Sequence, residues 1–178
     1  MTAARTVTCA LIAAFALAST VDVAEARPRP RRGKKFQANK GFGLGLMIGA
    51  PSGLSGKYFY AADKAFDFGI GGIRYYRNRS GLHLHADHLW HPVSLVSNAD
   101  FELPLYLGVG VRVFDFNDDN NKGDAIGLRV PVGLAFDLNK TPIDIFVELA
   151  FVADFFVNYT DDFGTDLSGA IGFRYYFN

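Results

Sequence analysis

The chain has little cysteine, one tryptophan and no long hydrophobic run. The single cysteine, Cys9, lies in an apolar segment near the N-terminus, so the remaining residues cannot form a disulfide or a thiolate site. No run reaches the ~18 apolar residues that predict a helical membrane span. Lys+Arg and Asp+Glu are equal at 18 each, so the total charge does not favour a nucleic-acid partner. A length of 178 residues predicts one domain.

The first 26 residues predict a cleaved signal peptide. Arg5 precedes an apolar stretch over 7–19, and Ala24, Glu25 and Ala26 form an A-x-A cleavage site. Cys9 lies inside the apolar stretch without the residues of a lipobox, so we expect no lipid anchor. The alternative interpretation is a short N-terminal anchor helix.

Residues 27–40 predict a disordered basic tail. They contain seven Lys or Arg and no acid, whereas residues 41–178 contain 10 Lys or Arg and 16 Asp or Glu. A segment so rich in Arg and Pro buries little apolar area and is expected to be extended and mobile. Electrostatic contact with acidic envelope polymers or lipid headgroups is the alternative role.

Residues 101–114 alternate strictly between apolar and other residues. The odd positions from Leu103 to Val113 are apolar, and the even positions include Glu102 and Arg112. Because side chains alternate across a strand, this segment has one apolar face and one face of glycine and charge. Its length suits the ~9–11 residues that a tilted strand needs to cross a bilayer.

Seven further segments repeat this pattern, which predicts an all-β fold. The expected strands are 41–50, 54–61, 65–75, 82–91, 101–114, 126–137, 143–154 and 167–177. The expected connections are 51–53, 63–64, 77–81, 92–100, 115–124, 139–142 and 158–166. Eight sequential strands close naturally into an antiparallel up-and-down barrel over 41–178, a closure that leaves no edge strand. The polar connection 115–124 lacks the glycine and the final acid of an EF-hand, so we expect a solvated loop.

Alternation does not by itself say which face points outward, since a soluble lipocalin-like barrel also alternates. An uninterrupted apolar face on three strands matches the ~25 Å apolar band of a transmembrane barrel. Glycine shares the other face with charge, which suits the narrow interior of an eight-stranded barrel. Aromatic residues at strand ends are candidates for interfacial girdles: Phe42, Tyr75, Tyr76, Trp90, Phe136, Phe155, Tyr175 and Phe177. These features favour the transmembrane barrel.

Charged side chains of inward parity predict a network that plugs the lumen. A buried charge without a partner is costly, so a dry interior requires pairing. Glu102 and Arg112 are roughly 33 Å apart along one strand, so Glu102 is expected at the periplasmic rim and Arg112 near a partner from another strand. The alternative is a gate that passes ions. The predicted network comprises Lys57, Glu102, Arg112, Arg129, Asp144, Glu148 and Arg174.

His83, His85 and Asp87 predict a polar cluster on the inward face of one strand. Two imidazoles and a carboxylate are zinc ligands, but inward neighbours on a strand are about 6–7 Å apart, too wide for three ligands on one ion. We therefore expect polar filling of the lumen, with zinc as the alternative. Ser80 or Ser168 with a histidine and Asp87 would be needed for a lipid-modifying enzyme, but the sequence has no nucleophile elbow.

Six segments resemble a family of small bacterial outer-membrane β-barrels of unassigned function, known from spirochaete and proteobacterial members and likened to the OmpA transmembrane domain. They are GLGLMIGAPSGLSGKYF, HADHLWH, LPLYLGVGVR, GLRVPVGLAF, PIDIFVELA and IGFRYYF. The resemblance covers about 41–178. It implies an eight-stranded barrel in an outer membrane and no catalytic residues. The final FRYYFN resembles the signal that the barrel assembly machinery recognises, although Asn178 follows the usual terminal Phe.

The sequence therefore predicts an exported, monomeric outer-membrane barrel with both termini in the periplasm, in contact with lipid and lipopolysaccharide. We expect a structural or surface-interaction role and no cofactor. A small ion channel and a lipid A-modifying enzyme are the alternatives. The extracellular ligand cannot be named from the sequence.

Overall fold

The structure is a computed structural model that describes residues 34–75, 79–118, 121–157 and 163–177. The predicted signal peptide over 1–26 lies outside these residues. The described residues form eight strands: β1 Phe42–Gly49, β2 Ser52–Ala61, β3 Lys64–Tyr75, β4 Arg79–Ser97, β5 Phe101–Asp118, β6 Asn121–Leu138, β7 Ile143–Val157 and β8 Phe163–Phe177. No helix in this part of the chain is long and apolar enough to cross a membrane.

The strands confirm the predicted fold class. Each strand pairs antiparallel with its neighbour in sequence, and β1 pairs with β8 to close the barrel. The turns around 62–63, 98–100 and 139–142 lie at the end where residues 34–41 enter β1, which we call the terminal mouth. The other end, where β5 gives way to β6, is the far mouth.

The strands around the far mouth are longer than predicted. The polar stretch 115–124 was expected to be a loop, but Asp115 pairs with Asp124 and Asp118 pairs with Asn121 in a continued hairpin. The prediction was wrong because backbone groups of a hairpin pair with each other whatever the polarity of the side chains.

β4 also continues past its predicted end at His91, through most of the expected connection 92–100, to Ser97. Its pairing with β5 shifts between Trp90 and Val93 and again between Ser94 and Ser97. These irregularities accommodate Pro92, which has no N–H for the ladder. Strand pairing therefore continues past Pro92, although this proline predicted the end of the strand.

The apolar face of each strand points outward. Outward residues such as Leu128, Val130 and Val132 on β6 are about half exposed, whereas inward residues of the same strand are buried. Four of the eight predicted girdle residues are exposed, Phe42, Phe155, Tyr175 and Phe177. Trp90 and Phe136 are half-buried, and the side chains of Tyr75 and Tyr76 lie outside the described part.

Candidate functional site: the charged lumen

The lumen is lined by the charged and polar residues of inward parity, and glycines make space for them. A Cβ added at Gly110 would lie 2.0 Å from Asp87 Oδ1, and one added at Gly127 would lie 2.2 Å from Asp154 Oδ1. The prediction that glycines leave room for the long charged side chains is confirmed at Gly127, where the added Cβ would also lie 3.0 Å from Arg112 Cγ; Gly110 makes room for a shorter carboxylate.

The ion pairs toward the far mouth centre on Arg112 of β5. Its guanidinium pairs with both oxygens of Asp154 on β7, with Nε 2.9 Å from Oδ1. Asp166 on β8 lies 3.4 Å away. Arg112 and Asp154 are both fully buried. The expected partner from another strand is therefore Asp154, and the pair crosses the lumen between strands that are not neighbours.

The central ion pairs centre on Arg129 of β6. It bonds Asp87 of β4 through Nη1, and its Nη2 lies 2.5 Å from Glu148 Oε1 on β7. Tyr106 donates its hydroxyl to Glu148 Oε2 at 3.1 Å. One cation thus serves two carboxylates, and all of these side chains are buried.

The third centre, nearer the terminal mouth, is Arg174 of β8. It donates to Asp67 of β3 at 2.6 Å and to Ser55 at 2.9 Å, and Asp144 of β7 lies 3.6 Å away. The guanidinium stacks on Phe146, 3.8 Å from the ring centroid. Ion pairing and stacking together hold this side chain across the lumen.

Lys57 is the lumen cation that has no hydrogen-bond partner in the described part of the chain. Its ammonium faces the ring of Tyr106 at 4.5 Å and that of Phe59 at 5.1 Å. The π faces of these rings attract a cation that has left water. Lys57 therefore belongs to the lumen as predicted, but rings rather than a carboxylate surround it.

His83 and His85 lie together, and Asp87 does not join them. His83 Nε2 is 3.0 Å from His85 Nδ1, and His85 Nε2 is 3.8 Å from Asp67 Oδ1. Asp87 instead pairs with Arg129. Among the described residues there is no group of three His, Cys, Asp or Glu side chains that could hold a metal ion.

The N-terminal segment 34–40 enters the terminal mouth, contrary to the prediction of a mobile tail. Phe36 is 1% exposed and lies against His91 and Phe59, with ring centroids 5.2 and 5.8 Å away. The Ala38 N–H donates to the Ala62 carbonyl at 2.7 Å. The segment is held by the buried ring of Phe36 and by hydrogen bonds to backbone groups of Ala62 and Ser94. Composition alone did not predict this burial. Residues 27–33 lie outside the described part.

Lys40 fixes the end of this segment. Its ammonium bonds Asp137 and approaches three carbonyl oxygens, those of Leu138 at 2.8 Å, Thr141 at 3.3 Å and Ile143 at 3.4 Å. The segment therefore spans the mouth from β4, where the Ser94 N–H donates to the Lys34 carbonyl, to the turn between β6 and β7.

Glu102, which was included in the predicted network, lies at the rim of the terminal mouth, as its position at the start of β5 predicted. It accepts a hydrogen bond from Ser97 at 2.5 Å and lies 3.9 Å from Lys34, whose side chain is mostly exposed. Its strand begins at the terminal mouth, so the first inward position faces the rim and not the interior.

Sequence reasoning missed four members of the buried network, although their parity was visible. Asp67, Asp154, Tyr106 and Tyr176 all occupy inward positions, and Tyr176 donates to Asp144 at 2.7 Å. Alternation shows that a residue points inward. It does not show its height relative to a residue on a distant strand, and this height decides the pairs.

The residues considered for a serine hydrolase are not brought together where the structure describes their side chains. Ser168 is buried in the lumen and its Oγ donates to the Ala150 carbonyl at 3.4 Å. His83 and Asp87 point inward, whereas His88 points outward and lies 2.5 Å from the Tyr60 hydroxyl. The side chain of Ser80 lies outside the described part.

Comparisons with protein-family models, with curated proteins and with solved structures gave no match. The geometry of the lumen and of the outer face is therefore what supports a function.

Replacing Phe36 by alanine is expected to release the N-terminal segment from the mouth. Loss of a buried phenylalanine ring costs about 3 kcal/mol, so the detached form should become roughly 100-fold more populated. Trypsin cleavage after Lys40, whose ammonium is buried in the native barrel, should accelerate accordingly. Gln37→Ala is the matched control because Gln37 is exposed. Equal cleavage rates for both variants would show that Phe36 does not hold the segment.

Proposed function

We infer that this chain is an integral outer-membrane β-barrel with a structural or surface-interaction role and a lumen closed by ion pairs. The observation that carries the proposal is the inverted distribution of side chains. Apolar residues cover the outside of the barrel and charges fill its interior, the reverse of a water-soluble protein.

The outer apolar face has the height of a membrane. On β6 the outward residues from Ile126 to Phe136 are all apolar. They cover ten residue steps, roughly 33 Å along the strand and about 25 Å along the axis of a barrel tilted near 40°. This height matches the apolar band of outer-membrane barrels. A soluble protein rarely exposes so large an apolar surface to water.

The proposal also covers the lipid contacts, the insertion and the orientation of the barrel. Acyl chains of lipid and lipopolysaccharide would cover the apolar wall, and the barrel assembly machinery would insert the chain through β8. Both termini would lie in the periplasm, so the long hairpins of the far mouth would face outside. The proposed protein is a monomer without enzymatic activity. The apolar band surrounds the barrel, and the described hydrolase candidates, Ser168 and His88, point to opposite sides of the wall. The fold and the apolar wall also support membership of the outer-membrane barrel family that the sequence resembles.

Closure of the lumen supports the structural role over the channel. Three arginines at successive heights each pair with carboxylates from other strands. Segment 34–40 spans the terminal mouth below them. An ion would have to displace several buried pairs in turn, each of which is costly to break.

Refolding into lipid vesicles tests the proposal. The folded protein should insert and should migrate differently on gels before and after heating, and planar bilayers should show no stepwise conductance. Glu148→Ala should also stay closed, because Arg112 and Arg174 keep their carboxylate partners. A protein that remains soluble without detergent would contradict the membrane location. Conductance steps that grow in Glu148→Ala would favour the ion channel.

A further inference from the structure

A polar cluster lies on the outward face of β2–β4, close to the terminal mouth. The Tyr60 hydroxyl and His88 Nε2 are 2.5 Å apart. The ring of Trp90 lies 4.4 Å from His88 and that of Phe66 lies 5.5 Å from it. The other three histidines of the chain are buried in the lumen. His88 and Tyr60 thus form a hydrogen-bonding pair on a wall whose surroundings are apolar.

The outward face of β3 carries a cation two residues from the level of this pair, where Phe66 is in register with His88. Lys64 begins β3, shares the outward parity of Phe66, and is in register with Trp90. It makes no ion pair in the described part of the chain, and the nearest acid in sequence is Asp63 in the adjoining turn. Lys64 therefore shares the outward face with the His88 imidazole and the Tyr60 hydroxyl, two residues along β3 from the level of His88. The ammonium can donate to an anion, and the hydrogen-bonded pair has one further hydrogen to donate, on the imidazole or on the hydroxyl according to the histidine tautomer.

An apolar groove of about 280 Å³ lies on the same wall, on the side away from the terminal mouth. Phe68, which lines the groove, follows Phe66 of the polar cluster by two residues, or about 7 Å along β3. Gly56 forms part of its floor, where a Cβ would lie 2.1 Å from the Phe68 ring. The lining side chains of outward parity are Leu44, Leu54, Phe68, Ile70 and Leu84.

We propose that Tyr60, Lys64, His88 and Trp90, together with this groove, bind one anionic glycerophospholipid from the leaflet at the terminal mouth. The phosphate lies against Lys64 and the Tyr60–His88 pair, and an acyl chain occupies the groove. A polar, positively charged end joined to an apolar groove matches the two parts of such a lipid. This inference rests on the proposed membrane location.

Trp90 provides the measurement because it is the only tryptophan of the chain. The full-length protein is refolded into vesicles of phosphatidylcholine that contain brominated phosphatidylglycerol or brominated phosphatidylcholine, since bromine on an acyl chain quenches a tryptophan that it contacts. The ratio of the two quenching curves gives the relative affinity for the anionic lipid. One Lys near a membrane surface contributes an attraction equivalent to about five-fold in affinity, so wild type should prefer phosphatidylglycerol by at least about that factor.

Lys64→Gln and His88→Leu should each reduce this preference toward one, and Tyr60→Phe should reduce it partly. Lys140→Gln is the matched control, because Lys140 lies in the turn between β6 and β7, away from Trp90. Equal quenching by the two lipids in wild type would overturn the site, as would a preference that persists in Lys64→Gln and His88→Leu. A protein that shows no heat-modifiable band and no quenching by either lipid would overturn the membrane location itself.

Discussion

Arg129→Leu is expected to lower the free energy of unfolding by about 3–5 kcal/mol, the range for removing one partner of a buried ion pair. Arg129 is the cation that Asp87 and Glu148 share. Its loss leaves two carboxylates inside the lumen, where water cannot solvate them. Urea unfolding of the protein in vesicles, followed by Trp90 fluorescence, measures the change.

The matched control is Lys140→Leu, which breaks an ion pair of similar geometry in water. Lys140 and Asp100 are 2.6 Å apart, and both are about 70% exposed. Exposed pairs contribute about 0–1 kcal/mol, so this variant should unfold close to wild type. Adding Asp87→Asn and Glu148→Gln to Arg129→Leu should recover part of the loss, because the buried negative charges disappear. Similar losses in Arg129→Leu and Lys140→Leu would refute the buried network as a source of stability.

Gly45→Val is expected to prevent closure of the barrel between β1 and β8. A Cβ added at Gly45 would lie 1.7 Å from the Phe173 carbonyl oxygen and 2.7 Å from the Arg174 Cα. Both atoms belong to the backbone of the partner strand, so no side-chain rotation can relieve the clash. Overpacking of a core commonly costs about 1–3 kcal/mol and occasionally more, and we expect a cost at or above the top of that range because the ladder must separate. The heat-modifiable band on gels should be reduced or lost.

Gly72→Val distinguishes this clash from a general intolerance of valine in place of glycine. Gly72 lies in β3, and a Cβ there has nothing within 4 Å. Valine also suits a strand better than glycine does. The variant should therefore refold and migrate like wild type. Normal folding of Gly45→Val would mean that the β1–β8 contact is looser than the structure has it.

The alternation of side chains was enough to predict the architecture. Residues 101–114 and seven similar segments predicted the antiparallel barrel, and the structure confirms it. Strand ends were less accurate, because 115–118, 121–124 and 92–97 extend strands despite polar residues and Pro92. Backbone pairing in a hairpin requires only that the two chains lie side by side. Polar residues and proline therefore did not mark where pairing stops.

The candidate site was predicted in part. Lys57, Arg112, Arg129, Asp144, Glu148 and Arg174 are all buried in the lumen. Glu102 lies at the rim, as its position on β5 predicted. The sequence predicted that Arg112 would find its partner on another strand, without naming the strand. Arg112 reaches from β5 to β7, and Arg174 reaches from β8 to β3. A lumen this narrow brings strands that are two or three apart in the ring within the length of an arginine side chain, and that width follows only from closure.

Residues 34–40, which precede β1, were also not predicted correctly from the sequence. Its composition predicted an extended basic tail, yet Phe36 and Lys40 are held in the terminal mouth. Composition measures how much a segment can bury by itself. Composition contains no information on the space that barrel closure creates at the terminal mouth.

For residues 101–114, the sequence by itself determined that one face is apolar and the other carries glycine and charge. A period of two is a local property of the chain, so it needs no knowledge of distant residues. Only the tertiary structure decided that Arg112 meets Asp154 while Glu102 meets Ser97 and Lys34. An ion pair forms over about 3 Å, and such a distance is set by the register and tilt of all the strands between the two residues.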